Sequence, residues 1–473
     1  MITSAASKPE NHYRLRIAAL SLAMLLPSLG TSIANVALPT LATSFAAPVQ
    51  EVQWVVVAYL LSVTTLIVGA GRLGDMLGRR RVLLTGIAIF GLASLICMAA
   101  PQLWVLVLAR AIQGTGAAIM MALTVASVGD LAPKGRTGSA MGLLGTVSAV
   151  GTALGPSLGG ALVSLFGWPA VFGFLAAASL VTLVFGHRVI PADTADSEKP
   201  FIFDFPGMLA LAVTLGAYAL ATTIGGGAFG PVNAALAGVA AVGLIAFILI
   251  EQRISVPLIE LGLLRNGALS APLINMTLVS SIVMTTLVVG PFYLSGVLHL
   301  STVETGLVMS IGPAVAALTG FPAGRLVDRF GPHPVMAAGI SGVLAGSALM
   351  IRLPDLFRVS GYIFSLAFIT AGYALFQAAN NAAVMNQAAN NRRGVTSALL
   401  GLARNLGLIS GASVMGAVYA LGTRGTALFG FGLEGKAGLV LTFTVATVFA
   451  SLSLAIALPG LRQAINQRQD VGG

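Results

Sequence analysis

The sequence predicts an all-α polytopic membrane protein, on three observations. Hydrophobic residues make up 57% of the 473, charged residues only 8%, and mean hydropathy is +0.95. Soluble domains of this length need far more charge on their surfaces. Apolar stretches of about 20 residues, enough to cross a bilayer, recur from end to end. A charged block, "GRLGDMLGRRR" at 71–81, interrupts them and returns in reduced form as "GRLVDRFGPHP" at 324–334.

Taken in order, fourteen spans are expected: 16–39, 52–72, 82–100, 103–127, 137–163, 168–187, 206–226, 231–251, 269–294, 303–323, 334–352, 359–383, 395–420 and 437–458. The first is too long for a signal-peptide core and runs on into a polytopic pattern, so it is read as uncleaved. The 57 glycines suit close helix packing in lipid. Two polar segments stand out, "RVIPADTADSEKPFIFDF" at 188–205 and "QRISVPLIELGLLRNGA" at 252–268. They bracket the seventh and eighth spans and read as linkers. The expected division is therefore an N-terminal six-helix bundle (1–190), linkers with an inserted helix pair (191–266) and a C-terminal six-helix bundle (267–473).

Basic residues set the orientation, because short loops rich in Lys and Arg stay in the cytoplasm. With Lys8, Arg14 and Arg16 inside, the same side collects Arg72, Arg79, Arg80, Arg81, Lys134, Arg136, Arg188, Lys199, Arg253, Arg265, Arg325, Arg329, Arg392, Arg393, Arg462 and Arg468. Only Arg352, Arg358, Arg424 and Lys436 fall outside, while Arg110 and Arg404 lie within spans. Both termini are therefore expected in the cytoplasm. The net charge of +10 reflects topology and attraction to anionic headgroups. It calls for no nucleic-acid partner. Cys97 is the single cysteine, which excludes an intrachain disulfide.

Gly71 to Gly78 align with Gly324 to Gly331 at an offset of 253 residues, each copy following the second span of a six-span set. A weaker echo pairs "GRTGSAMGLLG" at 135–145 with "RGVTSALLGLA" at 393–403. Two related halves with a site between them is a secondary-transporter plan.

The residues also carry a resemblance. The chain resembles the major facilitator superfamily and, within it, the fourteen-span drug:proton antiporters of the multidrug efflux type. "GRLGDMLGRRR" is similar to the loop signature between spans 2 and 3, and "LARAIQGTGAA" at 108–118 to the span 4 signature. "GTALGPSLGG" at 151–160 is similar to the span 5 antiporter signature, "ANVALPTL" at 34–41 to the end of span 1, and "RNLGLISGA" at 404–412 to a basic stretch of the penultimate span. The resemblance implies the major facilitator fold and a monomer in the cytoplasmic (inner) membrane, without cofactor or metal. It also implies export of small organic molecules by alternating access, with protons as the coupled ion.

In the 71–81 block, Gly71 and Gly74 are expected to let the chain turn and a neighbouring helix approach. Asp75 can pair with Arg79, and Asp130 is a second partner. By resemblance, Asp75, Arg79, Asp130 and the second-copy Asp328 form a latch between the halves; the alternative is a solvated loop that only sets topology. In span 5, Gly151, Gly155 and Gly159 share one face that another backbone can approach, and Pro156 can kink the helix.

Arg110 and Arg404 are costly inside spans and are expected to face a cavity or a partner. Gln113 lies on the same helix side as Arg110. Asn35, Tyr59, Asn275, Gln377, Asn380, Asn381 and Asn386 could line the same cavity, though several could equally bond between helices. Gly30 stands where the resembled branch has an Asp. Without a mid-membrane acid, the candidates for proton coupling are Glu51, Glu304 and Asp130. Two arginines and no acid favour neutral or anionic cargo. Four scattered His, one Cys and no buried carboxylate argue against an enzyme. A non-transporting sensor or a lipid-translocating relative on the same fold is the alternative.

Overall fold

A computed structural model of the chain describes residues 7–131, 137–191, 204–224, 230–254, 257, 262, 267–387, 393–429 and 434–472. Among them the only regular structure is helical, as expected where backbone groups must be satisfied within lipid. The N-terminal helices are α1 (Ser7–Ser44), the short α2 (Val49–Val52), α3 (Trp54–Leu77), α4 (Arg79–Met98), α5 (Leu103–Leu131), α6 (Thr137–Phe166) and α7 (Pro169–Val189). A pair follows, α8 (Phe205–Thr223) and α9 (Pro231–Arg253). The C-terminal helices are α10 (Gly267–Gly296), α11 (Thr302–Phe330), α12 (Pro332–Gln387), α13 (Arg393–Phe429) and α14 (Glu434–Gly472).

Twelve helices among the described residues are long and apolar enough to cross a membrane, against the fourteen expected from sequence. Two of the expected spans, 334–352 and 359–383, fall on the single 56-residue run of α12, which breaks at Arg358 (φ 49°, ψ −123°). The expected span 137–163 falls on α6, whose described apolar part is the shorter Val150–Phe166.

The charged blocks are mostly helical. α3 continues to Leu77 and α11 to Phe330, so Gly71 and Gly74 lie inside a helix and do not turn the chain, contrary to the expectation from sequence. A Cβ at Gly74 would strike Leu123 of α5, so that glycine serves close packing only. The turns are made at Gly78 (φ 94°) and Gly331 (φ 79°), the two equivalent ends of the repeat. Positive φ is strained for any residue with a Cβ, which explains glycine at both positions. At the other end of α11, Ser301 and Glu304 form a capping box, with the Glu304 backbone N–H donating to Ser301 Oγ at 3.3 Å. Asp204 caps α8 by accepting from the Gly207 N–H at 2.7 Å.

α1 packs on α5, α6 and α7, with α3 and α4 on α5; α10 packs on α13 and α14, with α11 on α12. Across the two groups α6 meets α11, α1 meets α10 and α3 meets α13. α8 and α9 form a hairpin that leans on α3 and α13. Trp54 Nε1 donates to Thr223 Oγ1 at 3.0 Å, and Tyr218 and Ser410 share a hydroxyl bond of 2.9 Å. α8 is thus tied to both groups. α9 turns Val232, Val242 and Ile245 outward, an apolar face suited to lipid.

Candidate functional site

The seam between the groups is uneven along its length. Toward the end that carries Gln53, a Cβ at Gly306 of α11 would lie 2.8 Å from the Pro156 carbonyl of α6, and one at Gly160 would lie 3.1 Å from the Gly306 Cα. Two backbones touch there with no side chain between them. A Cβ at Gly416 of α13 would collide with the Gln53 amide, which is itself buried. Toward the end that carries Gly78, a Cβ at Gly71, Gly320, Gly324 or Gly401 would meet no atom within 4 Å. Among the described residues the groups meet backbone to backbone at the Gln53 end, and no such contact is seen at the Gly78 end.

The glycine stripe of α6 faces α1. A Cβ at Gly151 would sit 2.8 Å from the Leu25 carbonyl, at Gly155 2.8 Å from the Ile33 nitrogen, and at Gly159 2.7 Å from the Ile33 carbonyl. Ser28 and Ser148 add a hydroxyl bond of 2.7 Å beside it. α6 is therefore pressed between α1 of its own group and α11 of the other, with bare backbone on both sides.

The two intramembrane arginines have opposite surroundings. Arg110 is fully buried, and of the two expectations from sequence, a cavity or a partner, it meets the second. Its Nε donates to the Val55 carbonyl at 2.8 Å, its Nη2 to the Gly30 carbonyl at 3.0 Å, and its Nη1 to Gln113 Oε1. Gln113 Nε2 passes the link to Ser94 Oγ at 2.6 Å. The guanidinium lies 4.2 Å from the centroid of the Tyr59 ring, whose hydroxyl donates to the Pro27 carbonyl at 2.8 Å. Carbonyl dipoles and a ring face thus offset a charge that no carboxylate meets among the described residues. Arg110 joins α1, α3 and α5, and Gln113 extends the network to α4. Gly30 takes part through its carbonyl, and a Cβ there would press on Phe90 at 3.1 Å.

Arg404 is half-exposed, and no hydrogen bond or ion pair reaches it among the described residues. At helical spacing it shares a face of α13 with Leu408 and Met415, both buried. Gly401, next to it on that side, opens onto unoccupied space. Ser410, bonded to α8, and the exposed Leu421 mark another side of the helix. Seven residues on, the same side of α13 packs at Gly411 against Ser281 and Met284 of α10.

The remaining polar residues divide similarly. Gln377 and Asn381 lie one turn apart on α12; Asn381 is exposed, and Gln377 Nε2 donates to the Tyr373 hydroxyl at 3.3 Å. Asn380 points elsewhere and is fully buried, with no partner for either amide atom among the described residues. Asn35 is fully buried and donates to the Thr31 carbonyl at 3.1 Å, while Asn275 accepts from Ser453 Oγ at 3.0 Å. These three do not line an open path here. The Asn386 side chain lies outside the described residues.

Of the expected latch, the side chains of Asp75 and Asp130 lie outside the described residues. Arg79 Nη1 donates to the Ala126 carbonyl of α5, in its own group, at 3.3 Å, and Asp328 is exposed. Glu51 and Glu304 are both exposed, and Glu304 has a structural role in the capping box. Contrary to the expectation of no buried carboxylate, Asp204 and Glu251 are buried, because the α8–α9 hairpin folds their ends inward at its Gly78 end. The seam residues Gly160, Gly306, Gln53 and Gly416 were also missed. Of these only Gly160 carried a signal, since it closes the "GTALGPSLGG" segment.

Two groups of membrane-length helices, touching at one end and bracketing an inserted pair, have the plan of a polytopic membrane transporter. The chain belongs to the major facilitator superfamily, whose profile matches residues 20–412. It is 34% identical over 393 residues to the uncharacterized transporter YebQ of Escherichia coli, covering 81% of this chain and 84% of that one. It is 30% identical to the riboflavin transporter RibZ of Clostridioides difficile, covering 83% and 85%, and 30% identical to the multidrug resistance protein Stp of Mycobacterium tuberculosis, covering 86% and 76%. Among solved structures, a bacterial homolog of the human lysosomal transporter Spinster, inward-facing and unoccupied, superposes with a TM-score of 0.70 at 14% identity. It covers 98% of this chain and 99% of that one. The xylose transporter XylE of E. coli superposes with a TM-score of 0.65 at 14% identity, covering 95% of this chain and 98% of that one. These two likenesses bear on the fold alone.

Proposed function

We propose that the chain is a proton-coupled antiporter that exports small organic molecules across the inner membrane by alternating access. It crosses fourteen times as a monomer, with bundles at 1–190 and 267–473, the inserted pair between them and both termini cytoplasmic. The observation that carries this reading is the uneven seam. A closed Gln53 end and a parted Gly78 end are what one half of an alternating-access cycle requires, and the basic loops put the parted end in the cytoplasm. Arg79, whose Nη1 donates to the Ala126 carbonyl one turn before Asp130, is placed to join a latch of Asp75, Arg79, Asp130 and Asp328. Multidrug efflux pumps among the relatives support export. Glu51, Glu304 and Asp130 are the candidates to carry the proton, Glu304 serving the capping box as well. Neutral or anionic cargo is favoured because no carboxylate offsets a buried cation among the described residues of the path.

The test is tracer flux in vesicles with the cytoplasmic face outward. An acidic lumen should drive tracer inward, and a protonophore should abolish that uptake. Uptake indifferent to the pH gradient would remove the coupling, and accumulation only in the opposite orientation would make the protein an importer.

A further inference from the structure

We propose that the Gly78 ends of α4 and α7 form a docking site for an anionic phospholipid, with Arg81 and Arg188 holding its headgroup phosphate. The pointer is a place where the internal repeat breaks. Asp75 and Gly78 have counterparts in Asp328 and Gly331, but Arg79, Arg80 and Arg81 give way to Pro332, His333 and Pro334. The turn at Gly331 is made without them, so the turn itself does not require three arginines. Arg79 reaches inward to the Ala126 carbonyl, whereas Arg80 reaches across to α7, where its Nη2 donates to the His187 carbonyl at 2.7 Å.

A basic residue anywhere in this loop would serve topology; what is particular here is convergence. α4 and α7 run antiparallel. A Cβ at Gly91 would lie 3.0 Å from the Ser179 Cβ, and one at Gly186 would lie 3.4 Å from Leu84 Cδ2. That register sets Arg81 beside Val189, next to Arg188. Arg81, His187 and Arg188 are all exposed, and no hydrogen bond or ion pair reaches Arg188 among the described residues. Within these two helix ends no acid offsets the charge. The first turn of α4 has none and its N-cap is Gly78, so the helix dipole adds to the arginines. The last turn of α7 carries His187 and Arg188. A guanidinium fork matches a phosphate, and two of them side by side suit one headgroup.

The surface below the cluster identifies the rest of the occupant. Val181 and Val184 share the Arg188 face of α7 at helical spacing, Leu180 lies beside them, and Leu92 is on the Arg81 side of α4; all four are exposed. α4 packs on α3, α5 and α7, and α7 on α1, α4 and α6, which leaves this outer side to lipid. α7 has 21 residues, about 30 Å at the helical rise. That length matches a hydrocarbon layer and sets its last turn at headgroup depth. The occupant therefore has an anionic head and acyl chains and comes from within the leaflet. The basic loops assign this end to the cytoplasmic leaflet, the one rich in anionic lipid.

The experiment is native mass spectrometry of the full chain in detergent, titrated with phosphatidylglycerol or phosphatidylcholine of the same acyl chains. It involves no transport and stands apart from the antiporter reading. The first phosphatidylglycerol should bind wild type more tightly than the first phosphatidylcholine. Arg81→Gln with Arg188→Gln should weaken phosphatidylglycerol on the order of 10- to 30-fold, the effect of two surface charges, and leave phosphatidylcholine unchanged. Arg188→Gln alone, which loses no protein bond, should weaken it about fivefold and keep the wild-type melting temperature. Arg81→Lys with Arg188→Lys should keep most of the preference. The charge-matched pair Arg352→Gln and Arg462→Gln, exposed arginines away from the cluster, should change nothing. Equal binding of the two lipids to wild type, unchanged phosphatidylglycerol binding in the Gln variants, or an equal fall in the charge-matched pair would each overturn the site. Inorganic phosphate at matched concentration should not displace the lipid; displacement would assign the arginines to a soluble anion and overturn the lipid reading.

Discussion

Arg110 and Arg404 both read in the sequence as cations in apolar spans, and the structure separates them by burial and partners. Removing the Arg110 side chain takes a donor from the carbonyls of Gly30 and Val55 and leaves the Gln113 amide oxygen unpaired in a buried site. Arg110→Gln should therefore lower stability by roughly 2–4 kcal/mol, read as a falling melting temperature in detergent. An unchanged melting temperature would show that the network stabilises nothing. The difference was hidden for a physical reason. In a soluble helix the polar side marks the surface, but here both the lipid and the interior are apolar, so periodicity does not reveal which side is buried. Span membership of both residues was legible; orientation was not. The same ambiguity put Asn35, Asn275 and Asn380 on an expected cavity wall, where the structure buries them in helix packing.

At the scale of helices, α6 shows what small residues do when they fall on two faces. Its stripe at Gly151, Gly155 and Gly159 was readable from spacing alone, and the helix it meets, α1, was not, because contact between distant segments leaves no local mark. The contact of Gly160 with Gly306 was invisible for the same reason. A Val at Gly306 would drive its side chain into the Pro156 carbonyl, and the strain falls only on the arrangement closed at the Gln53 end. Gly306→Val should shift the population toward the opposite arrangement. A cysteine placed at Gly401 should then react more slowly with a membrane-impermeant maleimide, by at least several-fold, since a shift of ~1.4 kcal/mol is tenfold in population. The native Cys97 is buried and adds little background. Undiminished labelling would mean that the seam does not gate the path. Helix ends were the least legible feature. α3 and α11 both overran their expected limits by several residues, because the charged blocks continue the helix until a glycine with positive φ stops it.

For the whole molecule, the repeat at an offset of 253 residues was the most informative signal in the sequence, and it returns as the paired turns at Gly78 and Gly331. The sequence also marked α8 and α9 as an insertion, though not that α8 bonds to both groups through Trp54 and Ser410. A rigid-body cycle must open the seam at Gly160 and Gly306 while bringing the Gly78 ends of α3 and α11 together. The measurement that tests this directly is a pair of distances by electron–electron spin resonance in nanodiscs, under conditions that drive turnover. One pair joins Leu77 to Phe330 across the parted end, and the other joins Gln102 to Leu356 across the closed end; all four residues are exposed. Acidification with cargo should populate a second state in which the first distance shortens and the second lengthens, in matching proportions. Two distances that stay fixed, or that lengthen together, would contradict alternating access through this seam.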